Sequence, residues 1–525
     1  MGALLAFASQ PTDQAPDPIT GVEVAWSALA PLLVLVGGAL VLMVVDALRR
    51  GPVLRGTYAL VTAVVAGGAL ILALPLWDRV QDEAQGPFST LGSAFGVDGF
   101  SVFTTIVLCA AAILAGLSLD PWLRREGLDS AEPFVLVLLS ASGGVIMASS
   151  NDLIVTFLGL EVLSLAVYVL AAMHLRRTTS QEAGVKYFVL GAFASAVLLY
   201  GIAMVYGGTG STNLVDISAF LSGTVLAEAG LVLAGLALLL VGFGFKVAAV
   251  PFHAWTPDVY QGAPSPTVVW MASGVKVAGF AGLIRVFYLG FPAYQLDWQP
   301  IVYALAVVTL VVGSVLAVVQ TDVKRLLAYS SISHAGFVLV GVQAASDQGA
   351  KAALFYLASY TFMVAGSFGI VALVGRKGDV GHHLDDYRGL AKDRPGLALL
   401  FAFFLFAQGG VPLTSGFFAK FYVISAAVDA GSTILALVAM VASVISVFIY
   451  LRIVVSLYME PVEEGRERRT IPIPFTAGLA VGLSAVVTLV AGIFPSTLAD
   501  PAGDATPVLV EAPALDAAGD PLTLP

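Results

Sequence analysis

Cysteine, charge and basic surface are what this sequence has least of. Its 525 residues hold one cysteine, Cys109, inside an apolar run. A single thiol excludes an internal disulfide, a cysteine metal knuckle and a haem-attachment motif; in such a run it packs as a small hydrophobe. Charged residues make up only 11%, where a soluble domain carries roughly a quarter. The formal net charge is −10, and no basic patch for nucleic acid is visible. Nor is there a Walker loop, a dinucleotide fingerprint or a nucleophile–base arrangement. His382 and His383 stand together in a charged loop without ligand spacing, so no metal and no cofactor are expected in this chain. The first residues, MGALLAFASQPTDQAPDPIT, carry no basic stretch ahead of a short apolar run, which argues against a cleaved signal peptide.

What is present is oil. Hydrophobic residues reach 58% and the mean hydropathy is +0.92. Apolar runs of the ~20 residues needed to cross a bilayer fall near 26–47, 57–77, 97–118, 133–150, 152–173, 187–207, 228–254, 264–289, 301–320, 324–344, 350–374, 396–428, 432–458 and 472–494. They predict an all-α polytopic membrane protein of about fourteen spans.

Basic residues fall on alternate connections: Arg49, Arg50 and Arg55; Arg124 and Arg125; Arg176, Arg177 and Lys186; Lys324 and Arg325. The same side takes Arg376, Lys377, Arg388, Lys392 and Arg394, then Arg452, Arg466, Arg468 and Arg469. The other side holds Arg79, Lys351 and Arg285, the last expected to snorkel to the outer edge. It also carries acids: Asp13, Asp17, Glu23, Asp78, Asp82 and Glu83, with Asp500, Asp504 and Glu511 near the end. The positive-inside rule makes the basic side cytoplasmic and both termini outward-facing. The expected organisation is an outer segment 1–25, helices 1–3 over 26–130, and two repeats over 131–290 and 300–460. A last helix over 470–495 and a flexible acidic outer tail over 496–525 complete it.

The two repeats rest on a recurrence. Helix 7 has a lysine beside a break (Gly242, Gly244, Lys246, Pro251), and helix 12 does too (Gly409, Gly410, Pro412, Lys420). An offset of five is odd, so equivalent helices cross in opposite directions, giving an inverted repeat of helices 4–8 and 9–13. Near mid-span stand few titratable groups: Glu161, Lys246, Lys276, His334 and Lys420. A charged side chain there costs about 2.5–3.5 kcal/mol, which marks it as a functional candidate. Broken backbone at that depth survives only against protein or a wet cavity. Burial and pairing act in opposite senses on proton affinity, so Glu161 and Lys246 would load or release a proton as they separate. Blander readings stand beside this one. A buried Glu–Lys pair also joins helices, Pro251 and Pro412 also make simple kinks, and a lone histidine is often a satisfied core residue. His253, Trp255 and Asp258 read as an interfacial anchor and loop-fixing set.

Four stretches carry a family resemblance: NDLIVTFLGLEVLSLAVYVL, PFHAWTPDVYQGAPSP, TDVKRLLAYSSISHAGF and GVPLTSGFFAKFYV. Together they resemble the antiporter-like membrane subunits of bacterial NADH-quinone oxidoreductase (respiratory complex I), in their N-type branch. That family also includes subunits of multisubunit sodium/proton antiporters and of membrane hydrogenases. The resemblance spans roughly residues 130–460; the Trp-Thr-Pro-Asp-Val-Tyr string and the helix-12 lysine look N-type, since the M-type paralogue has glutamate there. It implies a proton-translocating subunit of the bacterial cytoplasmic membrane with no redox centre. Flavin mononucleotide and iron–sulfur clusters would then reside in partner subunits, which also bind NADH and quinone; its own partners would be other membrane-arm subunits and lipid. By the family pattern Glu161, Lys246, Lys276, His334 and Lys420 would form the proton relay, with Lys420 toward the outer half-channel. A sodium/proton antiporter or hydrogenase subunit, and a scaffold whose buried charges only join helices, are the competing readings.

Overall fold

The computed structural model describes residues 24–51, 53–225, 229–460 and 470–510. The expected Asp13, Asp17, Glu23, Arg466, Arg468, Arg469 and Glu511, most of segment 1–25, and residues 511–525 of the tail expected over 496–525 lie outside them. Helices α1 (Trp26–Leu48) and α2 (Thr57–Gln81) precede a small antiparallel hairpin, β1 (Phe88–Thr90) and β2 (Phe95–Val97). Then follow α3 (Gly99–Glu126), α4 (Glu132–Ser149), α5 (Leu153–Ala172), α6 (Thr178–Thr209) and a short α7 (Leu214–Gly223). Span 7 is broken into α8 (Gly230–Val247) and α9 (Trp255–Gly262). Span 8 joins α10 (Ser265–Trp270) to α11 (Lys276–Arg285) through a π-helical stretch, Met271–Val275. The second half runs through α12 (Gln295–Val318), α13 (Val323–Gln343), α14 (Asp347–Val374) and a four-residue α15 (Leu390–Asp393). Span 12 is the pair α16 (Pro395–Gly409) and α17 (Ser415–Asp429). α18 (Thr433–Tyr458), α19 (Phe475–Ile493) and α20 (Ser496–Asp504) complete the order.

Among the described residues thirteen helical runs are long and apolar enough to cross a bilayer, and the expected twelfth span is split into the two shorter helices α16 and α17. The all-α polytopic class and the helix order stand as expected. The hairpin and α7 were not anticipated; both sit in connections on the acid-rich side, where short turn-rich segments carry no period long enough to read.

Two devices show the inverted repeat. Asp152 caps α5, its carboxylate accepting from the backbone N–H of Ile154 and Val155, and Asp322 caps α13 by accepting from Arg325. Each capping aspartate makes an isolated bridge to a distant loop, Asp152 to Asn213 and Asp322 to His383. An odd number of spans separates them, so the two caps lie at opposite ends of the molecule. The second device is the break. After α8 the chain turns through Ala248 at φ 63°, and after α16 through Gly410 at φ 87°, both left-handed. A glycine meets that requirement without a Cβ penalty; Ala248 meets it with one.

Burial divides the helices. Spans 3, 8, 10 and 11 are enclosed almost throughout, while α1, α2, α6, α12, α18 and α19 keep apolar flanks exposed. With lipid as the surrounding medium, exposed leucine and valine are expected, and polar atoms must be satisfied inside. The inner spans are therefore the ones that can carry polar side chains.

Arg285 corrects the snorkelling expectation. It is 1% exposed and forms an ion pair with Asp98 at 2.9 Å, while donating to the Ser150 carbonyl and to Asn151. The tail is also more ordered than expected up to residue 510. Asp504 offers its carbonyl to Gln81, Val508 donates to Asp98, and Asn151 donates to the Val510 carbonyl. Hydrogen bonds to two buried polar residues pull this strap onto the acid-rich ends of the core helices, which a Pro- and Ala-rich composition does not reveal.

Removing Asp98 alone leaves a buried guanidinium without its counter-charge, a loss of on the order of 3–5 kcal/mol. Asp98→Ala is therefore expected to melt well below the native protein in detergent-solubilised thermal scans. The double replacement of Asp98 by Ala and Arg285 by Met should recover much of that loss; equal melting of the single and double variants would contradict the pairing.

Candidate functional site: a buried line of ammonium groups

Lys246, Lys276, His334 and Lys420 are each 3–5% exposed, whereas Glu161 is only half-buried. Lys246 closes α8 two residues before the left-handed turn, and its ammonium donates to Ser164 Oγ at 2.7 Å. Ser164 stands one turn beyond Glu161 on α5. No ion pair of 4.0 Å or less joins Glu161 to Lys246 among the described residues, and Glu161 Oε1 is buried without a hydrogen-bond partner. The hydroxyl of Ser164, not the carboxylate, holds the ammonium.

Lys276 begins α11, immediately after the π-helical stretch, a distortion often found at functional positions. Its Nζ donates to the Ser331 carbonyl at 2.5 Å and to Ser331 Oγ at 2.7 Å. One turn further, Gly279 lets α11 press on Lys246: a Cβ there would come 3.2 Å from Lys246 Cγ. The two lysines are thus neighbours through one glycine.

From Ser331 the line continues along α13. Ser331, His334 and Phe337 recur every third residue, so they share one face of the helix. His334 Nδ1 lies 2.6 Å from the Tyr356 hydroxyl and Nε2 lies 3.0 Å from that of Tyr450, which also meets Ser330 Oγ at 2.5 Å. Tyr360 packs its ring 4.6 Å from the imidazole and 5.6 Å from Lys276 Nζ. Phe337 lies beneath Lys420, whose ammonium is 4.9 Å from the ring centroid. Lys420 itself donates to the Gly409 carbonyl at 2.9 Å and to Ser443 Oγ at 3.0 Å. That carbonyl belongs to the last residue of α16 and is freed by the break.

The broken frame matches known proteins. The family model described as "NADH:quinone oxidoreductase/Mrp antiporter, TM" matches residues 150–446. NADH-quinone oxidoreductase subunit N of Trichlorobacter lovleyi is 42% identical over 78% of this chain and 84% of its own. Subunit N 3 of Streptomyces griseus is 38% identical, covering 96% and 98%. The chain belongs to the NADH-quinone oxidoreductase subunit N family. Among solved structures, a chain of respiratory complex I from Thermus thermophilus with bound aureothin is 32% identical. It superimposes with a TM-score of 0.74, covering 90% of this chain and 98% of that one. A chain of the Mrp complex from Dietzia has the same fold at a TM-score of 0.77 and 23% identity.

In this subunit N relative, the residues missed at first are hydroxyls: Ser164, Ser330, Ser331, Tyr356, Tyr360, Tyr450 and Ser443. A signal for some existed. Tyr356 and Tyr360 are four apart in FYLASYTF, and YSSISH places Ser330 and Ser331 four and three residues before His334. Of the expected anchoring set, Trp255 and Asp258 make hydrogen bonds, whereas His253 Nδ1 is buried without one. Trp255 donates to the Phe245 carbonyl at 3.0 Å, and Asp258 accepts from Lys186 at 2.9 Å and Arg325 at 2.7 Å.

The close approach at Gly279 makes a test. Gly279→Val would drive a methyl into the stem of Lys246, and a membrane-assembled variant should lose most proton translocation while keeping its expression level. Native translocation by that variant, measured by dye quenching in vesicles, would mean that Lys246 need not stay where it packs.

Proposed function

We propose that this chain is a proton-translocating, non-redox membrane subunit of an NADH-quinone oxidoreductase. The observation that carries the reading is the continuous line Lys246–Gly279–Lys276–Ser331–His334–Phe337–Lys420 across the core spans. Three lysines at membrane depth cost on the order of 8–10 kcal/mol in insertion terms. One half-buried glutamate without an ion pair does not repay that, so simple helix-joining is a poor account of them.

The cycle runs as follows. A proton enters from the cytoplasmic side and loads at Lys246, with Glu161 tuning how readily the amine holds it. It passes through hydroxyls and water to Lys276, then by His334 between its two tyrosines to Lys420. It leaves outward at Lys420 when the charge on a neighbouring subunit changes. Quinone reduction in other subunits drives the cycle. Flavin mononucleotide, iron–sulfur clusters, NADH and quinone all belong to those subunits. The host membrane is the bacterial cytoplasmic membrane, the basic connections face the cytoplasm, and both termini face outward. The shared fold of Mrp-type chains keeps a sodium/proton antiporter role as the second reading.

Lys246→Ala and Lys276→Ala are each expected to abolish redox-driven acidification of vesicles while the complex still assembles. Unchanged acidification in either would sink that residue's role. Co-purification with flavin and iron–sulfur proteins favours the redox-coupled reading; sodium-dependent pH changes without NADH favour the antiporter.

A further inference from the structure

A second buried acid–base cluster lies at the basic end, away from Lys246. Its centre is Asp379, in the loop between α14 and α15, fully enclosed. It pairs with Lys324 of α13 at 3.0 Å, with Arg177 ahead of α6 at 3.2 Å, with Arg125 of α3 at 4.0 Å and with His382 at 3.3 Å. Ser265, at the start of α10, donates to it through both backbone N–H and hydroxyl. Burial alone would raise its carboxyl, but Lys324, His382 and Ser265 outweigh that and hold it well below the usual carboxylate range. Asp379 is therefore a fixed negative charge.

Above it opens a cavity of about 490 Å³ whose charged lining is mixed, with Asp379, Glu182, Asp258 and Asp386 beside Arg177 and Lys186. Lys324 lies just behind Asp379 with no exposure, its ammonium also donating to the Ala263 carbonyl at 2.7 Å. From there the relay is close. Lys324 and Ser331 are seven residues apart on α13, two turns on the same face and about 10.5 Å along the axis. Ser331 is the residue that holds Lys276. One face of α13 thus presents Lys324, Ser331 and His334 in order, from the open cavity to the centre of the line.

We propose that Lys324 is a second proton-loading group, which feeds the relay at Lys276 directly from the basic end. This rests on the relay reading above. The Lys324 ammonium gives one N–H proton to water toward Ser331, the neutral Lys276 amine accepts one, and the Lys324 amine is reprotonated from the cavity past His382. Asp379 keeps the ammonium in place and draws protons inward. The groups that face Lys324 are Asp379 and His382 of the loop, Arg177, Asp322 of its own cap and, through Asp379, Arg125.

Arginine separates loading from mere anchoring, because a guanidinium keeps the ion pair but does not release its proton. In the assembled complex in inverted vesicles, Lys324→Arg is expected to oxidise NADH yet acidify the lumen several-fold more slowly than native. Native acidification by Lys324→Arg overturns the proposal. Lys324→His keeps a releasable proton, so it should pump, with a rate that falls as the bath pH rises through the imidazole range near about 6.5. A pH-independent Lys324→His, or one as inactive as Lys324→Arg, also overturns it, and this variant decides the matter if the arginine variant fails to assemble. Lys276→Ala separates the two claims. If it pumps normally the relay itself fails; if it is inactive while Lys324→Arg is normal, only the second input fails.

Discussion

An ammonium group sealed away from water must find its hydrogen-bond acceptors in the protein, and the core of this chain is arranged to provide them. Each of the three central lysines meets a serine hydroxyl: Ser164 for Lys246, Ser331 for Lys276 and Ser443 for Lys420. Two also take a main-chain carbonyl. A neutral acceptor satisfies the charge without fixing it as a carboxylate at contact distance would. The choice of serine over aspartate leaves these three ammonium groups without a carboxylate at contact distance. At the molecule's ends the guanidiniums, which do not release their protons, take carboxylates: Arg285 sits on Asp98 and Arg177 on Asp379.

Much of the frame was legible from composition and periodicity, because a bilayer demands long apolar runs and a charge-biased orientation. Thirteen of the runs are helices long enough to cross a bilayer and the other is a broken pair, and the breaks appear where glycine and proline cluster beside a lysine. What was not legible is the pairing across helices. Arg285 looked like an edge residue because its partner, Asp98, lies far away in the chain; nothing local announces that the two meet. Glu161 and Lys246 looked like an ion pair for the converse reason, since two opposite charges in oil attract an explanation before their distance is known. The serines escaped notice because a serine in an apolar helix can bond its own backbone, as Ser273 does to Val269. Ser164 does both, donating to the Leu160 carbonyl while accepting from Lys246, and only the neighbouring helix reveals the second bond.

The inverted repeat shows how the two halves differ in chemistry. Ser164 and His334 stand the same number of residues beyond their capping aspartates, Asp152 and Asp322, and so do Glu161 and Ser331. Lys246 and Gln408 each stand two residues before the left-handed turn, and each reaches a buried serine, Ser164 for one and Ser367 for the other. The frame is thus repeated while its chemistry is not. The first half puts an acid and an ammonium where the second puts a serine and an amide, and the second gains a histidine and places its own lysine beyond the break.

Two identical halves of opposite orientation would offer a proton the same ladder from either side, with no preference for passage. Placing the titratable set unevenly on a symmetric scaffold breaks that equivalence. Lys246 and Lys276 stand in the first half, whereas His334 and its tyrosines lead to a single ammonium in the second. Under the proposed relay this unevenness makes the two passages inequivalent, while the direction of net transfer comes from the driving reaction in the other subunits.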